Sequence, residues 1–110
     1  VFTETGPASV ERGMKQWKIC QELLRNHPQE LLFYGADWNL QTPKIGSLIA
    51  FENASGFCGE GESLEAGFKR LNEVMKVAKP LYISLTWNSE NRFGGGAHTQ
   101  VGLKEDGKHL

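Results

Sequence analysis

Hydrophobic positions fall into four groups along the chain, and their spacing predicts the elements. From about Ser9 to Arg25, Val10, Met14, Trp17 and Leu24 recur at helical spacing, with Ile19, Cys20 and Leu23 widening the stripe. Ser9 is placed to cap this helix, and Pro28 biases His27 away from the α region and stops it. The segment ELLFYGAD, residues 30–37, is short, aromatic and closed by Gly35, which reads as a strand. WNLQTPK is a connecting loop, and Asp37, Trp38 and Asn39 form a polar-aromatic turn leading into it.

A second strand runs from Gly46 to Glu52 and is apolar at successive rather than alternate positions, the mark of a strand covered on both faces, as in parallel α/β sheets. Ser63 caps the next helix, with Glu62 and Glu65 near its positive end. The stripe of that helix is Leu64, Phe68, Leu71, Met75 and Ala78. After Pro80, PLYISLTW alternates Leu81, Ile83 and Leu85 against Tyr82, Ser84 and Thr86. A polar loop, NSENRFGGGAHTQ, then leads to LKEDGKHL, which resembles the first turn of a further helix.

The order strand, helix, strand, loop is a βαβ crossover, which requires parallel strands. The fold class expected is therefore α/β, built of parallel βα units. In such folds ligands bind at the carboxyl ends of strands, and the long loops 53–62 and 88–103 both leave carboxyl ends. Glu52 stands at one of them. A carboxylate there is a solvated strand end, a general base or a metal ligand, and local spacing leaves all three open.

Composition narrows the field. The 110 residues suffice for one small domain, and a net charge of −1 gives no electrostatic footprint for nucleic acid. No apolar run approaches the roughly 20 residues of a membrane helix. Two cysteines, Cys20 and Cys58, are too sparse for a disulfide framework and point to a reduced, cytoplasmic-type environment. Beginning at Val1 and ending within a helix-like turn, the chain reads as a segment of a larger protein.

Other constellations carry less. GFCGEGES has its glycines in the wrong order for a dinucleotide loop, lacks the Gly-Lys-Ser/Thr of a phosphate loop, and places Glu60 and Glu62 where they repel phosphate. It reads as a connector, with an anion-binding doubly wound domain as a distant third hypothesis. Cys58 becomes a nucleophile only if folding brings His27 or His98 beside it. The loop after Thr86 concentrates Asn88, Ser89, Glu90, Asn91, Arg92 and His98 beside a run of three glycines, 94–96. That is the composition of a substrate-contacting lip, in which Arg92 suits a substrate carboxylate.

Taken in order, LIAFEN (48–53), the helix of residues 63–78 and LYISLTWNSENRFGGGA (81–97) resemble the renal (membrane) dipeptidase family of zinc hydrolases. That family has a strand ending in Glu-Gly-Gly-His, a helix with Leu-x-x-Leu, a strand of the type Tyr-Leu-Thr-Leu-Thr-His-Asn, and a loop with an Ala-Asp-(Ser/Gly)-Ala tail. The resemblance spans residues 46–110 and implies part of a (β/α)₈ TIM barrel, an amidohydrolase-like metallopeptidase with two zinc ions. Its reaction is hydrolysis of a dipeptide or small amide by metal-activated water. It further implies that Glu52 is the carboxylate bridging the two metals, buried at the barrel mouth; the candidate substrate contacts, read from the strand end and its loop, are Trp87, Asn88, Asn91 and Arg92.

Three departures bear on that expectation. Glu52-Asn53-Ala54-Ser55 replaces Glu-Gly-Gly-His, Trp87 stands where the family has a histidine, and Gly95 where it has an aspartate. The family's other metal ligands, a His-x-Asp pair and two further histidines, are not matched by His27, His98 or His109. The expected organisation is one barrel segment, with residues 1–45 a helix, short strand and loop, and 46–110 the βαβ unit with its lip. The rival expectation is a barrel homologue that has lost catalysis and acts in binding or structure. Unpaired strand edges of a partial barrel would favour association with a further copy.

Overall fold

The computed structural model describes residues 1–33, 41 and 43–96. Helix α1 spans Ser9–Asn26, strand β1 Leu31–Phe33, strand β2 Ile45–Ser47 and helix α2 Leu64–Met75, with a 3-10 turn at Ala54–Gly56. The chain is mixed α/β, and β1 and β2 pair in parallel, Leu31 opposite Ile45 and Phe33 opposite Ser47. A two-stranded sheet of this size does not establish a barrel. Expectations for Tyr34 to Asn39, His98, His109 and the turn at LKEDGKHL lie outside the described residues.

Beyond β2 the chain continues as the middle member of a second parallel ladder. On one side Val1 N donates to Ala50 O (2.8 Å) and Glu52 N to Val1 O (2.8 Å), with a parallel bridge between Phe2 and Glu52. On the other, Leu81 N donates to Ile49 O (2.7 Å), Phe51 N to Tyr82 O (3.1 Å) and Ser84 N to Phe51 O (2.9 Å), with a parallel bridge between Phe51 and Ile83. The expected parallel relation of the 46–52 and 81–86 segments is present, although the continuous strand ends at Ser47 and the two segments meet through an isolated bridge.

Successive side chains of an extended segment point to opposite faces. Ile49, Phe51 and Asn53 are buried, at 7%, 1% and 1% exposure, whereas Leu48 and Glu52 are exposed. Bridge partners share a face, so Val1, Thr3 and Ile83 lie with the buried set, and Phe2 and Tyr82 with the open one. Two-sided coverage was the expectation. Only one face is covered by the described residues, because both helices pack on that side.

The core on the covered face is largely aromatic. Trp17 stacks on Phe33 with ring centroids 5.4 Å apart, and Phe51 meets Phe57 edge-on at 6.2 Å. Met14, Cys20 and Leu24 of α1 pack against this cluster, while Ile19 and Leu23 of the expected stripe remain exposed. Close approach of α1 to the 3-10 turn requires Gly13, since a Cβ there would fall 2.9 Å from Gly56 Cα.

Both helix starts depart from simple pattern in instructive ways. Ser9 is the first helical residue rather than the cap, and its hydroxyl turns back, accepting from Gly6 N and lying 2.6 Å from Glu4 O. Ser63 does cap α2, its hydroxyl accepting from Ala66 N at 3.1 Å. The buried line of α2 is Gly67, Val74 and, beyond its end, Ala78, not the full stripe expected. Leu64, Phe68 and Met75 are exposed, and Leu64 and Phe68 edge an apolar groove of about 330 Å³ whose far wall carries Ile83, Leu85 and Phe93.

Candidate functional site at the strand carboxyl ends

The carboxyl ends of the three ladder segments meet at Asn53. Its backbone has φ 78°, the one non-glycine residue with positive φ among those described, a conformation that costs free energy for a side chain with Cβ. The surroundings compensate with hydrogen bonds. Asn53 Nδ2 donates to Thr3 O (2.8 Å) and Thr5 Oγ1 (3.0 Å), and its backbone N donates to Ser84 Oγ (2.9 Å). Oδ1 accepts from Ser55 N (3.1 Å) and from Asn91 Nδ2 (2.9 Å). One buried amide therefore joins the N-terminal segment, the central segment and the lip.

Glu52, one residue earlier, points the other way. Both its backbone groups belong to the ladder, but its side chain is exposed on the open face and makes no hydrogen bond or ion pair among the described residues. The expected burial is not found, because no layer among the described residues covers that face. Trp87 lies on the same side: its ring meets Phe2, the bridge partner of Glu52, edge-on at 4.6 Å.

The remaining lip residues are committed to the protein itself. Asn91 Nδ2 also donates to Leu85 O (2.7 Å), and Asn91 Oδ1 accepts from Phe93 N (2.8 Å). Asn88 is half-buried. The backbone N of Arg92 donates to Glu60 Oε1 (3.0 Å), while its Nη1 donates to Gly59 O (2.9 Å) and Glu62 O and lies 3.5 Å from Cys58 Sγ. Arg92 is thus directed at the glycine loop rather than at Glu52. The structure brings Trp87 towards Glu52 and Asn91 onto Asn53, and takes Arg92 elsewhere.

The glycine loop is an ion-paired structure. Arg70 of α2 donates through Nη1 and Nη2 to the two carboxylate oxygens of Glu62, and through Nη1 to Phe57 O (3.0 Å). The hydrogen bonds from Arg70 hold the Glu62 carboxyl below the ordinary glutamate range against a smaller opposing effect of burial. Gly59 N and the charges of Arg70 and Arg92 lower it further, and Glu62 in turn raises Arg70.

Cys58 is buried beneath this loop, whereas His27 caps the far end of α1, about 20 Å of helix away from Gly13 and the 3-10 turn, so the two do not form a nucleophile pair. Among the described residues no three His, Cys, Asp or Glu side chains come together. Glu52 is one carboxylate where a dinuclear zinc centre needs several donors, and the described residues alone do not fit that centre.

Asn53 is the residue that sequence reasoning passed over. An asparagine after an apolar run reads as loop, and the available signal was its tolerance of positive φ next to a strand end. No family model, no curated protein and no solved structure matches the chain.

Proposed function

We propose that the chain is a set of βα units from a larger TIM-type barrel, resembling the renal dipeptidases, whose activity is hydrolysis of a dipeptide or small amide. One observation carries this reading. Glu52 ends the central segment of a parallel ladder, with parallel bridges on both sides of that segment, and projects from the face opposite the helices. In a closed barrel that face is the interior, and its carboxyl end is where the chemistry occurs. Exposed Leu48, Tyr82 and Phe2 on the same face fit a surface that further strands would cover.

On this reading Glu52 contributes a metal-holding carboxylate, and the other zinc donors come from outside the described residues. Trp87 offers an aromatic wall and one indole N–H donor beside it, but no acid or base. Asn88 and Asn91 border the mouth, and Asn53 holds its rim in shape. The two free thiols, Cys20 and Cys58, fit a reducing, cytoplasmic compartment. No helix among the described residues is long and apolar enough to cross a membrane.

Hydrolysis of a panel of dipeptides by the complete barrel, with and without Glu52→Gln, tests the proposal. Turnover lost in the variant, with folding unchanged, supports it; turnover equal in both contradicts it. A second reading is favoured by Trp87, which packs on Phe2 where the family has a histidine. It is that of a barrel homologue without catalysis, serving in binding or structure. A complete barrel that folds, binds no zinc and cleaves no dipeptide selects that reading.

A further inference from the structure

The glycine loop of residues 57–62 is held from two directions. From α2, Arg70 grips the Glu62 carboxylate with two donors, an opposite-charge fork between residues of one βα unit. From the other side comes Arg92, across a separation of 33 residues from Gly59. It sits in a tight turn closed by Asn91 N donating to Gly94 O (3.0 Å) and Gly94 N to Asn91 O (3.2 Å). Arg92 is itself exposed, and the oxygens its guanidinium meets, on Gly59 and Glu62, are neutral carbonyls. Beneath both arms lies Cys58, 1% exposed, with Arg92 Nη1 3.5 Å from its sulfur.

The arms therefore differ in strength. A guanidinium–carboxylate fork is anchored by charge and by planar geometry, whereas a cation on two carbonyls at the surface competes directly with water. We propose that Arg92 is a releasable strap: it closes the glycine loop over Cys58, and its detachment opens the 91–94 turn and the 57–62 loop in one event. The device is independent of the hydrolase reading, because it requires neither zinc nor Glu52.

The chain has two cysteines, and the second is an internal reference: Cys20 lies in α1, partly exposed and remote from the strap. Alkylation by iodoacetamide under native conditions, read peptide by peptide by mass spectrometry, follows both thiols at once. In the unsubstituted protein buried Cys58 is expected to react more slowly than partly exposed Cys20. Arg92→Ala is expected to accelerate Cys58 by roughly 2- to 5-fold, the factor for loss of an exposed charged contact, with Cys20 unchanged. Arg92→Lys, which keeps the charge and loses the second donor geometry, is expected to fall between.

An unchanged Cys58 rate in Arg92→Ala overturns the proposal, and so does a rise shared equally by Cys20, which reports general loosening. A measurement on the unsubstituted protein covers a variant that fails to fold. Native-state hydrogen exchange should give one common opening free energy for the amides of Gly59 and Glu62 and those of Arg92 and Gly94. Separate openings for the two groups contradict a shared strap.

Discussion

The two faces of residues 48–53 form a natural comparison. Ile49, Phe51 and Asn53 face the helices and are sealed, while Leu48, Ala50 and Glu52 alternate with them and face a side that the described residues leave open. The backbone is shared, so the difference is one of covering layers and not of strand formation. The sealed face carries the stability, the open face carries the proposed chemistry, and substitutions on the two should diverge accordingly.

The largest divergence is expected between Phe51→Ala and Leu48→Ala. Phe51 contacts Trp17 and Phe57 and is 1% exposed, so its truncation should cost about 3–5 kcal/mol in urea unfolding. In the 110-residue chain taken alone, Leu48 is 53% exposed and its truncation should change stability by roughly 0.5 kcal/mol or less. Comparable losses at both sites would show that the open face is covered in solution.

Next in size are the contacts behind the sealed face. Gly67→Ala places a Cβ 2.6 Å from the Cys58 side chain and should cost about 1–3 kcal/mol by the same measurement. Asn53→Ala should also cost about 1–3 kcal/mol by orphaning buried partners, and Asn53→Gly somewhat less, because glycine accepts the positive φ without strain. An Ala variant as stable as the Gly variant would remove backbone strain from the explanation.

A smaller effect sharpens the role of the glycine loop. The Glu62 carboxyl is lowered in the fold, so the stability it contributes is full above the ordinary glutamate range and is lost as pH falls through its lowered value. Glu62→Gln should therefore flatten the acid limb of the stability–pH curve and leave the neutral region with a small, constant offset. An unaltered acid limb would mean that Arg70 and Glu62 do not remain paired in solution. Smallest of all, in the metal-free 110-residue chain Glu52→Gln should alter stability by less than about 0.5 kcal/mol, since the side chain is exposed and unpartnered among the described residues.

Much of the scaffold was legible in the chain. Helical spacing located both helices, Ser63 announced the start of α2, and the strand–helix–strand order implied the parallel relation now seen between Phe51 and Ile83. The misread features have physical causes. Consecutive apolar residues report affinity for an interior but not which layer supplies it, and the described residues supply a layer on only one face of the 46–52 segment. Periodicity counts side chains and overlooks Gly67, whose lack of one lets α2 pack along Gly67 and Val74 and leaves Phe68 at the groove edge.

The candidate site was legible in place and not in detail. The carboxyl ends of parallel strands drew attention to Glu52, Trp87 and the lip. Which lip residues serve the protein's own backbone depends on contacts across 30 to 50 residues, such as Arg92 to Glu62 and Asn53 to Thr3, which local sequence cannot encode.

The central claim is that the open face bearing Glu52 is a barrel interior in which this carboxylate holds metal. Zinc content of the purified complete barrel, measured by plasma mass spectrometry for the unsubstituted protein and for Glu52→Gln, addresses it most directly. The account predicts a dinuclear complement in the former and loss of at least one ion in the latter, with both proteins folded as judged by far-ultraviolet circular dichroism. Equal zinc in the two proteins, or none in either, would contradict it.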